Sequence, residues 1–195
     1  MTARSIITWP DSRLLEKADN VLYFDDDLNT LALDMCHTTT AAFGAGLAAT
    51  QIGVKKSICV IVKTYVPTLP VEDKIQGDFV VLVNPLIERL DNDKTNRFPW
   101  KEACLSVPGI TEEVVRVKEI KIKYQNLDGE WVDKIVCGEE SAIIQHEVDH
   151  LFGKLFIHRV QGRKKRSIMQ KLRRSLGLTG KKKKRRRQNT EQPEN

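Results

Sequence analysis

At 195 residues, 41% of them hydrophobic, the chain has room for one domain with a real core plus an appendage. Cysteines 36, 59, 104 and 137 show no CxxC pairing, the apolar runs 58–62 and 79–83 are too short to span a bilayer, and residues 1–7 lack a signal-peptide core. These features exclude a disulfide scaffold and a membrane protein and predict a cytoplasmic location. The net charge of +6 hides a split: residues 163–195 carry fourteen Lys and Arg against Glu191 and Glu194, a net of +12 that leaves −6 for residues 1–162. Any polyanionic partner is therefore expected to meet the tail.

Residues 10–18 read as a short helix or turn, and Asp25–Asp27 offer N-caps to a helix from about Leu28 to Phe43, striped by Leu28, Leu31, Met35 and Cys36. The glycine-rich stretch 44–53 follows. Its two close glycines can end the helix and let backbone pass near a ligand, or simply make a tight packed turn. No strand precedes them and no phosphate-loop motif is completed, which argues against a nucleotide site. Strands are expected at 57–63 and at 79–83, the second closed by Asn84-Pro85, with a polar loop at 64–78 between them. A charged loop at 91–97 leads to an irregular stretch, Lys101–Gly109. Val115 and Val117, then Ile120, Ile122 and Tyr124, alternate as strand with an irregularity near Glu119. Asn126–Gly129 supplies a hairpin turn into a strand at 131–136. A helix then runs from behind Gly138 to Gly153, with Glu139 and Glu140 at the favourable end of its dipole. Residues 163–176 form an amphipathic basic helix with Ile168, Met169, Leu172 and Leu176 on one face. Gly177 and Gly180 end it, and Lys181–Arg187 is a charge block expected to be disordered. There is no internal repeat.

The penultimate helix carries His146-Glu147-Val148-Asp149-His150, a His-Glu-x-x-His motif. Residues four apart share a helix face, so the two imidazoles can meet one cation while Glu147 handles a proton beside it. A buried helix with locally bonded histidines is the bland alternative, and the paired spacing makes it the weaker one. A catalytic site needs a third ligand and an open position. The extended protease pattern fails downstream: Phe156 stands where its last histidine belongs, residues 151–190 contain neither Asp nor Glu, and His158 is out of register. The ligand must lie upstream. Cys59 falls in an apolar strand, Cys36 lies mid-helix and Cys137 sits awkwardly close to the motif. Cys104, in an irregular stretch, is the favoured candidate on spacing.

Three segments in this order resemble the peptide deformylase family: Gly44–Gln51 (GAGLAATQ), Glu102–Ser106 (EACLS) and Gln145–His150 (QHEVDH), with Pro10-Asp11 similar to the family's opening. The likeness covers about residues 5 to 160. It implies an α+β fold, with mixed and antiparallel sheets wrapped around a central metal-binding helix, in a catalytic domain of residues 1–162. A basic helix and disordered tail would occupy 163–195. It implies Cys104, His146 and His150 as metal ligands, Fe²⁺ as the native ion, and Zn²⁺, Ni²⁺ or Co²⁺ as substitutes. Glu147 would be general base and then acid. The Gln51 side-chain amide and the Leu105 backbone N–H would contact the oxyanion, and the Gly46 backbone would help hold substrate. The expected reaction removes the formyl group from N-formylmethionyl peptides and releases formate. Bacterial members dock on the ribosome through a C-terminal helix, so residues 163–187 are expected to meet ribosomal RNA.

Three departures stand out. Ala103 replaces the glycine usual before the ligand cysteine, Glu139 replaces an apolar residue of the methionine pocket, and the loop 64–78 lengthens the spacing between the first two motifs. A zinc endopeptidase and a nucleic-acid-binding protein with a degenerate core are the competing readings.

Overall fold

A computed structural model describes residues 2–71, 75, 78–90 and 95–177. The chain divides into two compact units, Met1–Gln161 and Gly162–Asn195. In the larger unit, helix α1 (Asp26–Ala41) starts where the Asp25 carboxylate accepts the Leu28 N–H at 3.0 Å. Its expected stripe, Leu28, Leu31, Met35 and Cys36, is buried. Seven strands are described: β1 (Gly46–Ala48), β2 (Ile58–Val62), β3 (Phe79–Arg89), β4 (Arg97–Cys104), β5 (Val107–Val117), β6 (Glu119–Gln125) and β7 (Trp131–Cys137). They make an antiparallel sheet in the order β1-β2-β3-β6-β7 and a separate β4-β5 hairpin. Helix α2 (Gly138–Leu151) packs against strands of both.

The β1, β2 and early β3 part of the five-stranded sheet is covered on both faces. Cys59, Ile61, Val80 and Leu82 meet Ile144, Val148 and Leu151 of α2. The alternate residues Ile58, Val60, Val81 and Val83 cluster with Leu28, Leu31 and Met35 of α1. Burial on both sides is why β2 and the start of β3 read as unbroken apolar runs. At its far end α2 is held by backbone: Ala18 N donates to Leu151 O at 2.8 Å, and Thr50 Oγ1 to His150 O at 3.2 Å. Gly153 follows with φ +65°, and a Cβ there would overlap the Leu15 carbonyl, so glycine is required.

Several expectations need correction. β3 does not close at Asn84-Pro85 but runs on through a bulge between Val83 and Leu86. Asn84 turns to φ 50°, and its amide accepts from Val21 N and donates to Val21 O and Gln125 Oε1. The ladder is replaced there by side-chain hydrogen bonds, and the proline costs no N–H. Residues 46–48, expected within a turn, form edge strand β1 on β2. The segment after β2 is not simply polar: Val66, Leu69 and Ile75 are buried. β5 is a strand as expected, but with its faces exchanged. Val115 is 57% exposed and Arg116 1% exposed, because buried carboxylates receive the arginine.

The smaller unit contains helix α3 (Gly162–Ser175), which places Ile168 and Leu172 four apart on one face. Gly177 follows at φ 67°. Gly180 and the Lys181–Arg187 block lie outside the described residues. No described helix is long and apolar enough to cross a membrane.

Candidate metal centre and substrate cleft

The β4-β5 hairpin turns over two residues, Leu105 and Ser106, with Cys104 opposite Val107. A register break between Ala103 and Cys104 re-aims the cysteine out of the ladder. Its Sγ lies 3.3 Å from His150 Nε2, and ligand atoms of Cys104, His146 and His150 are all within 4.8 Å of one another. Cys36 and Cys59 are buried elsewhere, burial pushing the Cys36 thiol up to about 12, and Cys137 is exposed at the start of α2. Phe156 does not leave room for a protease-type ligand: its ring stacks on His146 at 6.1 Å between centroids.

The donor set fits a divalent ion. A thiol and two imidazoles on rigid elements supply three ligands and leave a fourth position open. Burial, then the neighbouring His146, holds the His150 pKa well below its ordinary range, keeping the ring neutral as a ligand must be. Burial also opposes protonation of His146. Hydrogen bonds to Cys104 and Glu102 outweigh it and raise that pKa.

Behind the cluster lies a chain of buried ion pairs that the sequence did not disclose. Glu102 Oε2 is 2.6 Å from His146 Nδ1, which leaves Nε2 for a cation. Glu102 takes a two-pronged contact from Arg116, Nε to Oε1 at 2.5 Å and Nη2 to Oε2 at 2.8 Å. Arg116 Nη1 reaches Asp149 Oδ2 at 2.6 Å, and Arg159 clasps Asp149 with two 2.6 Å bonds. Burial alone would raise both carboxyl pKa values. The guanidinium contacts, with His146 also acting on Glu102, reverse this and lower them.

The remaining expected residues converge on one side. Gln51 Oε1 accepts the Ala48 N–H at 2.8 Å, which aims Nε2 at Ser106 Oγ, 3.1 Å away, and at Cys104 Sγ, 3.7 Å away. Glu147 is 5% exposed, its Oε2 finds no hydrogen-bonding partner among the described residues, and burial pushes its pKa up to about 7. Gly46 passes so close that a Cβ there would sit 2.8 Å from Glu147 Oε1. Gly46, Gln51, Cys104, Leu105, His146 and Glu147 all line one cleft of about 400 Å³, and His150 is buried beside Cys104 and His146.

Comparison with known proteins agrees with this geometry. Residues 3–166 match the family model described as polypeptide deformylase. The peptide deformylase of Acidobacterium capsulatum is 38% identical over 89% of this chain and 95% of its own, and that of Hahella chejuensis 40% identical over 88% and 95%. The chain belongs to the peptide deformylase family. It is an enzyme of the class that removes the N-formyl group from nascent peptides. The crystal structure of the Legionella pneumophila peptide deformylase superposes with a TM-score of 0.75 at 34% identity, covering 90% of this chain and 96% of that one.

Two of this deformylase's departures now have a place. Ala103 is exposed on the cleft and is not among the described residues with positive φ, so its backbone does not demand glycine. Glu139 is exposed in the first turn of α2, where it lines the same cleft.

Proposed function

We propose that this chain hydrolyses the formyl amide of N-formylmethionyl peptides, with Cys104, His146 and His150 holding a divalent metal. Fe²⁺ is the native ion on this reading, by resemblance to the family, and Zn²⁺, Ni²⁺ and Co²⁺ suit the same thiolate-imidazole set. A bound ion would supply Lewis acidity to the formyl oxygen and make water reactive near neutral pH. Glu147 takes a proton from the attacking water at its carboxylate and returns it to the departing amine nitrogen. The Gln51 Nε2 and the Leu105 N–H donate to the developing oxyanion. The backbone at Gly46 holds the peptide, supported by the position of β1 at the edge of its sheet, beside the cleft.

The observation that carries this reading is the convergence of the three donors within 4.8 Å of one another, with Cys104, His146 and Glu147 lining one cleft. Protein purified without oxygen should contain about one metal per chain and release formate from formyl-Met-Ala-Ser. A fully metallated protein that releases no formate would overturn it, and cleavage at an internal peptide bond would indicate the endopeptidase instead.

We further place the enzyme in the cytoplasm and its basic tail, residues 163–187, against ribosomal RNA. The charge split and the cationic α3 support this. Deleting 163–195 should abolish ribosome cosedimentation while leaving kcat and KM on a short peptide nearly unchanged. Equal binding by full-length and truncated protein at low salt would defeat the docking idea.

A further inference from the structure

The cleft has an aromatic rim that the chemistry described above does not use. Phe43 follows α1 with φ 52°, a conformation that a bulky side chain rarely adopts, and it is 98% exposed. A strained backbone that presents a fully solvated phenyl ring gains nothing from folding. Tyr65, 48% exposed, also lines the cleft. It stands in the first turn after β2, at the start of the long segment that distinguishes this chain. Its first part is built into the fold: Val66 and Leu69 are buried, Lys63 Nζ donates to the carbonyls of Pro67 and Leu69, and Glu140 at the start of α2 accepts from Thr68 N and Oγ1. Trp100, on β4, lines the cleft as well and is steadied by Phe98, 6.2 Å away between ring centroids. Trp100 lies two residues before Glu102, on the strand face that carries the His146 support.

We infer that Phe43, Tyr65 and Trp100 read the residues that follow the N-formylmethionine, so that the enzyme prefers peptides with an aromatic or large apolar side chain at the second or third position. The inference rests on the deformylase reading above. The rim belongs to the cleft of the reacting centre: Phe43, Tyr65 and Trp100 line it together with Gly46, Cys104 and Glu147, so a peptide held there runs beside these rings. Ring contacts of this kind bury apolar area and add a stacking preference. Because they form equally with substrate and transition state, they should act on KM rather than kcat.

The test compares formyl-Met-Phe-Ala, formyl-Met-Ala-Phe and formyl-Met-Ala-Ala on the metallated full-length enzyme and its variants. At least one phenylalanine peptide should exceed the alanine peptide in kcat/KM by about five- to twenty-fold, mainly through KM. Phe43→Ala should remove much of that advantage, leave the alanine peptide within about two-fold and not lower Tm, since so exposed a ring contributes no core. Tyr65→Ala should reduce it in part, and Phe43→Tyr should preserve it. Equal kcat/KM for all three peptides, or a preference untouched by Phe43→Ala and Tyr65→Ala, would overturn the rim. So would variants that keep the preference and lose ribosome binding instead, because the rings would then face the ribosome. Formate from none of the peptides would instead refute the deformylase reading itself.

Discussion

Arg116→Met should be the most damaging single change outside the cleft. The Arg116 side chain is 0% exposed and holds Glu102 and Asp149, whose side chains are 3% and 9% exposed. Methionine fills a similar volume but leaves Glu102 facing His146 alone and Asp149 supported only by Arg159. Breaking a buried pair from one side costs about 3–5 kcal/mol, because a desolvated charge is stranded. With a urea m-value of about 2 kcal/mol/M, the unfolding midpoint should fall by roughly 1.5–2.5 M. Metal affinity should drop about 10–100-fold as the Glu102 support of His146 loosens. Arg116→Lys keeps a charge but not the two-pronged geometry and should lie between. Glu102→Gln combined with Arg116→Met should recover part of the loss, since the stranded carboxylate is then neutral. The assay is urea unfolding followed by circular dichroism at matched metal occupancy, because bound metal itself stabilises the fold. An Arg116→Met midpoint within about 0.5 M of wild type would mean a loss of only about 1 kcal/mol, and the carboxylates would not be the fixed charges described here.

Glu147→Gln should retain metal and lose about 10²–10⁴-fold in kcat; near-normal turnover in the fully metallated variant would remove Glu147 from the proton transfer. Cys104→Ala should lose tight metal binding while Cys137→Ala keeps it, measured by metal analysis after dialysis. The reverse pattern would refute the ligand assignment. Gly46→Ala would bring a methyl group 2.8 Å from Glu147 Oε1 and so displace the carboxylate. The variant should fold and bind metal but turn over about 10²-fold more slowly, and unaltered kcat would show that Glu147 need not sit where it does. Asp34 takes a two-pronged contact from Arg4, which, with the Thr2 N–H, lowers its pKa. A depressed carboxyl contributes stability above its unfolded pKa of about 3.9 that is lost as pH falls through the folded value. Asp34→Asn should therefore be less stable than wild type at pH 6, with the gap closing toward pH 2, and a gap independent of pH would exclude this origin.

The His-Glu-x-x-His helix was legible because its information is local and periodic: two histidines four apart, a glutamate between them and glycines at the ends. β2 and the start of β3 were legible for a similar reason, as runs of branched apolar residues. What escaped was conferred by partners distant in sequence. Gly46-Leu-Ala48 has no β-branched residue and becomes strand because residues 59–61 pair with it. Asn84-Pro85 looks like a stop and is absorbed as a bulge, because Val21, 63 positions away, completes the asparagine's hydrogen bonds. Val115 and Arg116 show the limit most plainly. Alternation gives the period of a strand but not its phase, and the usual rule that valine faces in was reversed by Glu102 and Asp149. A hint existed: an arginine between valines, in a chain with acidic residues in two other motifs. Nothing in the sequence alone said that they meet.

Helix α2 explains why such distant residues converge. Its side chains are committed on nearly every face: Ile144, Val148 and Leu151 to the five-stranded sheet, and His146 and Glu147 to the cleft. Asp149 goes to Arg116 and Arg159. Ser141 and Gln145 close on Val117 of β5: Ser141 Oγ donates to the Val117 carbonyl at 2.9 Å, while the Gln145 amide accepts from Val117 N at 3.1 Å and donates to Val117 O at 2.8 Å. A helix held this way cannot rotate or slide without breaking apolar packing on one side and buried hydrogen bonds on the other. The β4-β5 hairpin bearing Cys104 is tied to the same helix by Val117 and Arg116, and Gln51 by the neighbouring Thr50 contact to His150. The three proposed ligands, the proposed proton carrier Glu147 and the Gln51 amide, from distant parts of the chain, are thus fixed relative to one rigid element. Such a site can hold a catalytic geometry without relying on loop closure, since its donors are positioned before substrate arrives.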